Sequence, residues 1–434
     1  MNTIAIDCGA SFLKTALLEN GEILKHIDIP MKTLRNDRNI FSPEKIEEII
    51  TNVKKAISEL SDGIDEYNLC ISNEMHGFIL LKKDASYFTD YISWQNEYGN
   101  IEYNGIKSCE LLKTDKFKDC ILQTGMSVRA GLPSSNLIYL SNAYPFEEQL
   151  YFYTLGDCIF KKVFGFEPIC HISNAAASGL YDIENHKWIS DILNYVNYNL
   201  IMPKVGDEVI TTDYGNKKVH IFPAIGDYQA ALLGAGINDG KDISFNLGTG
   251  AQVSVISDNA VFSDKYQVLP FFNGKYLFRV AHLPSGRALN VYFRFFKDVL
   301  NSFDVQVDDS KIWDIILNNI KDDNSDNNIS CSMGFFENSA DTCTKGFIKD
   351  IGEFDFSFSN LVSAVMKQEA DNFIKASYTV CNNREEIKRV IFSGGIAKRI
   401  DYIRHSIINS FNDEVEVIMA LNETLVGLEK YTGI

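Results

Sequence analysis

The sequence predicts an α/β protein of two domains with a ligand cleft between them. Three observations carry this reading. The chain has 434 residues, more than one hydrophobic core usually supports, so two units of about 200 residues are expected. Apolar runs of strand length alternate with stretches of helical period. A pattern of strand, glycine turn and strand also occurs near the start of each half, as IAIDCGASFLKTALLENG from Ile4 and as ISFNLGTGAQVSVISDNA from Ile243, which suggests a duplicated fold.

Residues 3–8 and 12–18 read as paired strands, and Asn20-Gly21 turns the chain into a third at 22–29. The stretch SPEKIEEIITNVKKAISELS has Ser42 as N-cap and Pro43 at the first helical position. Ile46, Ile49, Ile50, Val53, Ala56 and Ile57 follow at helical spacing. A strand at 68–72 comes next. From 106 to 220 short helical patterns alternate with loops, and strands return at 217–225, 241–250, 251–257 and 389–395. The change of character near 220 divides the chain into an N-terminal domain, 1–220, and a C-terminal domain, 221–434. KDDNSDNNIS, at 321–330, lacks apolar periodicity and reads as a surface loop.

Composition narrows the function classes. With 45% hydrophobic and 23% charged residues, the chain is an ordinary globular protein. Its net charge of -17 disfavours nucleic acid and anionic membrane as partners, and an anionic ligand needs a local positive site. Nine cysteines are scattered singly, with no CxxC pair, and read as reduced thiols. No secretory leader or membrane-span pattern is recognisable, so a cytoplasmic location is expected. The oligomeric state stays open between monomer and homodimer.

Several short segments could hold chemistry. Asp7 ends an apolar run and leads into Cys8-Gly9-Ala10-Ser11, with Lys14 beyond. Turn chemistry alone accounts for this, but small residues also let backbone N–H groups face a phosphate while Asp7 serves its metal. Gly248-Thr249-Gly250 forms a second such turn, and Ser393-Gly394-Gly395 a connection on whose glycine backbone a nucleoside could lie. Asp227, ahead of the helix QAALLGAG, suits either an N-cap or a general base that takes the proton of an attacking hydroxyl. Met75-His76-Gly77 and Trp94-Gln95-Asn96 each follow a strand. They fit core packing, or a sugar site with an aromatic face for the ring and imidazole and amide for its hydroxyls.

In their order and spacing these segments resemble the FGGY carbohydrate kinases. QTGMSVRAGLPSSNLIYL and HISNAAASGLYDIENHKW are similar to family stretches after the sugar loop, and NETLVGLEKYTG to its final helix. The resemblance implies two actin-like (ribonuclease H-like) ATPase domains with an interdomain cleft. It also implies Mg²⁺-dependent transfer of the ATP γ-phosphoryl group to a hydroxyl of a ketose or related sugar. Asp7 then faces the metal, while Gly9, Ala10, Ser11, Lys14, Gly248, Thr249, Gly250, Gly394 and Gly395 hold ATP. Asp227 is the catalytic base, and His76, Trp94, Asn96 and Gln229 belong to the small-molecule sugar. Two positions depart from the family pattern: Ala10 replaces a common Thr or Ser, and Asn96 a common Asp. WQN, SNAAASGLYD and GDYQAALLGAG look most like sedoheptulokinase-like members. The alternatives are an actin-like or chaperone-like ATPase, which His76, Trp94 and Asn96 speak against, and a catalytically silent sugar sensor, which Asp227 and both glycine turns speak against.

Overall fold

The structure is a computed structural model that describes residues 1–32, 39–248, 250–321, 327–336, 345–381, 383–411, 414–420 and 423–434. The opening runs form three antiparallel strands, β1 (Thr3–Cys8), β2 (Phe12–Glu19) and β3 (Glu22–Pro30). β1 is buried along its whole length, because β4 (Glu66–Asn73) lies parallel on its other side. Strand Lys217–Ile221 runs parallel to β4, and Ile210–Tyr214 closes that edge.

The second sheet repeats this plan. Asp242–Asn246 takes the place of β1, with Ala251–Ser257 and Tyr276–Leu283 antiparallel on one side, while Arg389–Ser393 and Glu416–Met419 run parallel on the other. Gln267–Pro270 adds an edge strand. The duplication suggested by the two hairpins is thus a duplication of sheet order. Ile225–Gly226 also pairs with β4, so the first sheet continues to the residue before Asp227.

Helix α1 (Glu44–Leu60) buries Ile46, Ile49, Val53 and Ile57 against the first sheet. Its expected cap is wrong. Pro43 occupies the cap position, and Ser42 makes no capping bond. The buried Asp90 instead accepts from Lys45 N at 3.1 Å and Ile46 N at 2.8 Å, satisfying amides at the helix start from a distant loop. Residues 322–326 of the expected loop lie outside the described residues. Its last residues are attached to the core, since Ile329 is buried and Ser330–Cys331 pairs with Ile348–Lys349.

Helices Asp227–Ala235 and Glu423–Tyr431 belong to a core shared by both sheets, with Ala5, Cys70 and Ile225 from one side and Ile256, Leu277 and Ile391 from the other. The two helices touch through glycines. A Cβ on Gly234 would lie 1.7 Å from Glu423 O, and one on Gly427 would lie 1.8 Å from Ala230 O. Only glycine permits this approach. The eight described cysteines are free thiols, and no described helix is long and apolar enough to cross a membrane.

Candidate active site

Three acids gather where β1, β4 and Ile225–Gly226 end. Asp7 is buried beside Ser72, its register partner on β4, whose Oγ donates to Asp7 Oδ1 at 2.9 Å. Lys14 faces Asp7 across the hairpin. Burial raises the Asp7 carboxyl, while Ser72 and Lys14 pull it back. Glu74 accepts from Trp94 Nε1 at 2.9 Å and is likewise raised, first by burial.

Asp227 is the first residue of its helix, half-buried, with Gly226 in the N-cap position. Its Oδ1 accepts only from the adjacent Tyr228 N, at 2.8 Å, among the described residues. The capping alternative is therefore set aside. Burial, then the charges of Asp7 and Glu74, push its carboxyl up to about 7. An acid titrating there is half-ionised at neutral pH, which suits a general base.

The donor set fits the metal that accompanies a nucleotide. Mg²⁺ keeps several waters and takes one or two carboxylates together with phosphate oxygens. Asp7 could serve as one such carboxylate, and no described cluster of three or more His, Cys, Asp or Glu builds a metal cage.

The glycine turns are shaped by backbone contacts. Gly9 N donates to Phe12 O at 3.2 Å, leaving Ala10 and Ser11 exposed on the hairpin. In the second half, Gly248 O accepts from Gly286 N at 3.2 Å, and Gly250 is exposed with open space where a Cβ would stand. Thr249 lies outside the described residues. Gly394 has a φ of 91°, and its Cβ would meet Leu247 O at 2.4 Å. Gly395 is exposed, with open space where a Cβ would stand.

His76 is held in a left-handed conformation, φ 67°, and its Nδ1 lies 2.7 Å from Ala177 O. The carbonyl can only accept, so Nδ1 carries the proton and Nε2 is left as an acceptor. Burial keeps this imidazole well below its ordinary range, with Arg129 and Arg279 adding to the effect. Trp94 is 45% exposed, its indole pinned by Glu74. Asn96 is partly committed to its own turn, because its Oδ1 accepts from Ser93 N at 3.0 Å.

Gln229 packs under the head of its helix. It is fully buried and donates to Pro270 O at 3.3 Å. Its Oε1 turns back against Gly226, 2.5 Å from where a Cβ would stand, and has no hydrogen-bond partner among the described residues. Gln229 ties the interdomain helix to the second sheet.

Sequence reasoning missed four residues here. Glu74 lies beside Met75-His76-Gly77 and went unremarked. Arg279 is buried on Tyr276–Leu283, 5.2 Å above the Tyr228 ring, and donates to Gln267 Oε1 at 3.0 and 2.6 Å. Its positive charge opposes the rise in Asp227. Arg129, from the first half, hydrogen-bonds His282 Nε2 in the second. His282 has a φ of 57° at an irregular point in the strand pairing, and burial followed by both arginines pushes it down to about 3. The signal was Arg279 itself, a charge in a strand that otherwise reads as buried.

Two sheets of one plan, each with a glycine turn after its first strand, and an acid heading the helix between them define a two-domain phosphotransferase of the actin-like ATPase fold. Residues 2–234, more than half the chain, match the N-terminal domain of the FGGY family of carbohydrate kinases. The protein belongs to that family and is an ATP-dependent, Mg²⁺-requiring carbohydrate kinase. Solved structures agree on the fold. The xylulose kinase of Lactobacillus acidophilus aligns with a TM-score of 0.81 at 18% identity, covering 100% of this chain and 89% of that one. The gluconate kinase of the same organism gives 0.82 at 19%, covering 100% and 90%. Plasmodium falciparum glycerol kinase with ADP gives 0.77 at 15%, covering 99% and 88%. No significant match exists among curated proteins.

Proposed function

We propose that the protein phosphorylates a hydroxyl of a ketose, sedoheptulose-like or a pentulose, or of a related sugar, with Asp227 as general base. The observation that supports it most is Asp227 itself: a carboxylate at the head of the interdomain helix, held by one backbone hydrogen bond and pushed up to about 7 by burial and the charges of Asp7 and Glu74. Bound Mg²⁺-ATP supplies the phosphoryl group and neutralises its charge. Asp7 would hold the metal, the turns at Gly9–Ser11 and Gly248–Gly250 with Lys14 the phosphates, and Gly394-Gly395 the adenosine.

Asp227 takes the proton of the sugar hydroxyl as that oxygen attacks. Arg279 offsets the charge of Asp7 and Glu74, so that Asp227 can ionise beside them. His76 Nε2 accepts from a sugar hydroxyl, and Trp94, oriented by Glu74, covers the ring. Asn96 offers its amide N–H groups. On this reading the domain ending at 220 supplies the sugar and first phosphate contacts, and residues 221–434 the nucleotide contacts. The enzyme works in the cytoplasm, as a monomer or homodimer, on a small molecule and not on nucleic acid.

Similarity of the sugar-loop segments to sedoheptulokinase-like members supports a ketose, and family membership disfavours a chaperone-like ATPase. The test is an ADP-release screen across ketoses of five to seven carbons, aldoses, polyols and sugar acids. The proposal expects one ketose or close relative to dominate, and a preference for a polyol or sugar acid would overturn it.

A further inference from the structure

One buried carboxyl stands apart from the acids of the cleft. Glu369 lies within the long helix Phe358–Val380 and is fully buried. Ser285 Oγ donates to its Oε1 at 2.6 Å, and Oε2 has no hydrogen-bond partner among the described residues. Burial pushes the carboxyl up to about 8, so it holds its proton at neutral pH. A carboxyl in such a place costs desolvation that one hydrogen bond only partly offsets. An apolar side chain would serve the core better.

What Glu369 holds is a residue at the head of another helix. Ser285 occupies the N-cap position of Gly286–Ser302, yet its hydroxyl makes no cap bond. It turns back to Glu369, leaving the first amides of that helix without a side-chain acceptor. The next residue, Gly286, donates to Gly248 O at 3.2 Å, and a Cβ there would meet Gly248 O at 3.3 Å and Ile396 Cδ1 at 3.1 Å. Ile396 N in turn donates to Leu247 O at 3.1 Å. The glycine turn, the head of the Gly286 helix and the Gly394-Gly395 connection therefore meet at Leu247-Gly248, and Ser285–Glu369 links that junction to the principal helix of the second core.

We propose that Glu369 is a positioning residue for the nucleotide, fixing Gly286 and the Gly248 turn through its hydrogen bond with Ser285. This rests on the reading of Gly248–Gly250 and Gly394-Gly395 as the ATP site. Glu369→Met and Ser285→Ala remove the bond from either end, while Glu369→Gln keeps an acceptor for the Ser285 hydroxyl.

The first readout is ADP affinity by calorimetry without sugar, which does not depend on which sugar is used. Loss of one buried hydrogen bond should weaken ADP by roughly 5- to 30-fold in Glu369→Met and in Ser285→Ala. Glu369→Gln should stay near wild type, and the double variant should be no worse than the weaker single one. The second readout is kinetic: KM for ATP should rise in the same proportion while KM for the sugar holds. Unchanged ADP affinity in folded Ser285→Ala would overturn the proposal even if Glu369→Met failed to fold. So would equal rises in both KM values. Wild-type ADP binding without phosphorylation of any sugar would instead count against the sugar-kinase chemistry and leave this test intact.

Discussion

Replacing Asp227 by Asn separates catalysis from stability. The carboxyl titrates at about 7 in the fold against 3.8 in the unfolded chain. At about 1.36 kcal/mol per pH unit, ionising it in place costs up to about 4 kcal/mol, and partial solvent access at the cleft reduces this to ~1–3 kcal/mol. The folded value is raised, so Asp227 favours the fold fully below pH 4, and that contribution is lost as pH rises through 7. The amide cannot ionise, and it still accepts from Tyr228 N. Asp227→Asn should therefore unfold at higher urea than wild type at pH 8, and by a clearly smaller margin at pH 5, where only part of the penalty has developed. Turnover with the best sugar should meanwhile fall roughly 10²- to 10⁴-fold. Paired urea melts and phosphorylation rates at the two pH values give both numbers. A variant that is less stable at pH 8, or one that retains near wild-type turnover, would refute the reasoning.

Other changes test the neighbouring residues. Wild-type kcat/KM should climb with pH through about 7 as Asp227 ionises, and a profile flat from pH 5 to 8 would remove Asp227 as the base. Asp7→Asn should raise the Mg²⁺ concentration needed for half-maximal turnover at least about tenfold, and an unchanged Mg²⁺ titration would dissociate Asp7 from the metal. Trp94→Ala should raise KM for the sugar more than KM for ATP, whereas equal changes would make Trp94 structural. Gly427→Ala forces a Cβ to within 1.8 Å of Ala230 O. It should cost at least about 3 kcal/mol by urea unfolding, and a loss under about 1 kcal/mol would mean that the helices separate freely.

Local patterns survive where their causes are local. Most strands read from alternation and turn residues are present, from Thr3–Cys8 to Arg389–Ser393, because hairpin turns and apolar runs are properties of adjacent residues. The run before Trp94 is only an isolated bridge at Ile92, and 217–225 is split into Lys217–Ile221 and Ile225–Gly226. Ser42 failed as a cap because Asp90, brought in by a loop, satisfied the helix amides first. The depth of Gln229 was not visible in the sequence: it is fully buried, with its amide on Pro270 O from the second sheet. Arg129 and His282 could not be paired from sequence, since they meet across 153 positions and both halves of the fold. Glu369 reads in isolation as one more acid on a solvated helix face, and only the packing of Ser285 against it shows otherwise. The positions of Asp7 and Asp227 at strand ends were legible, because Asp7 lies near the end of β1 and Asp227 directly follows Ile225–Gly226.

On the proposed chemistry this cleft transfers phosphate to a sugar hydroxyl and does not merely hydrolyse ATP. Phosphorus NMR of the reaction with the best sugar from the screen tests it most directly. A phosphate-ester resonance should grow as ADP forms, with little free phosphate when sugar is omitted and loss of the ester signal in Asp227→Asn. Free phosphate released at the same rate with and without sugar, and no ester, would contradict it.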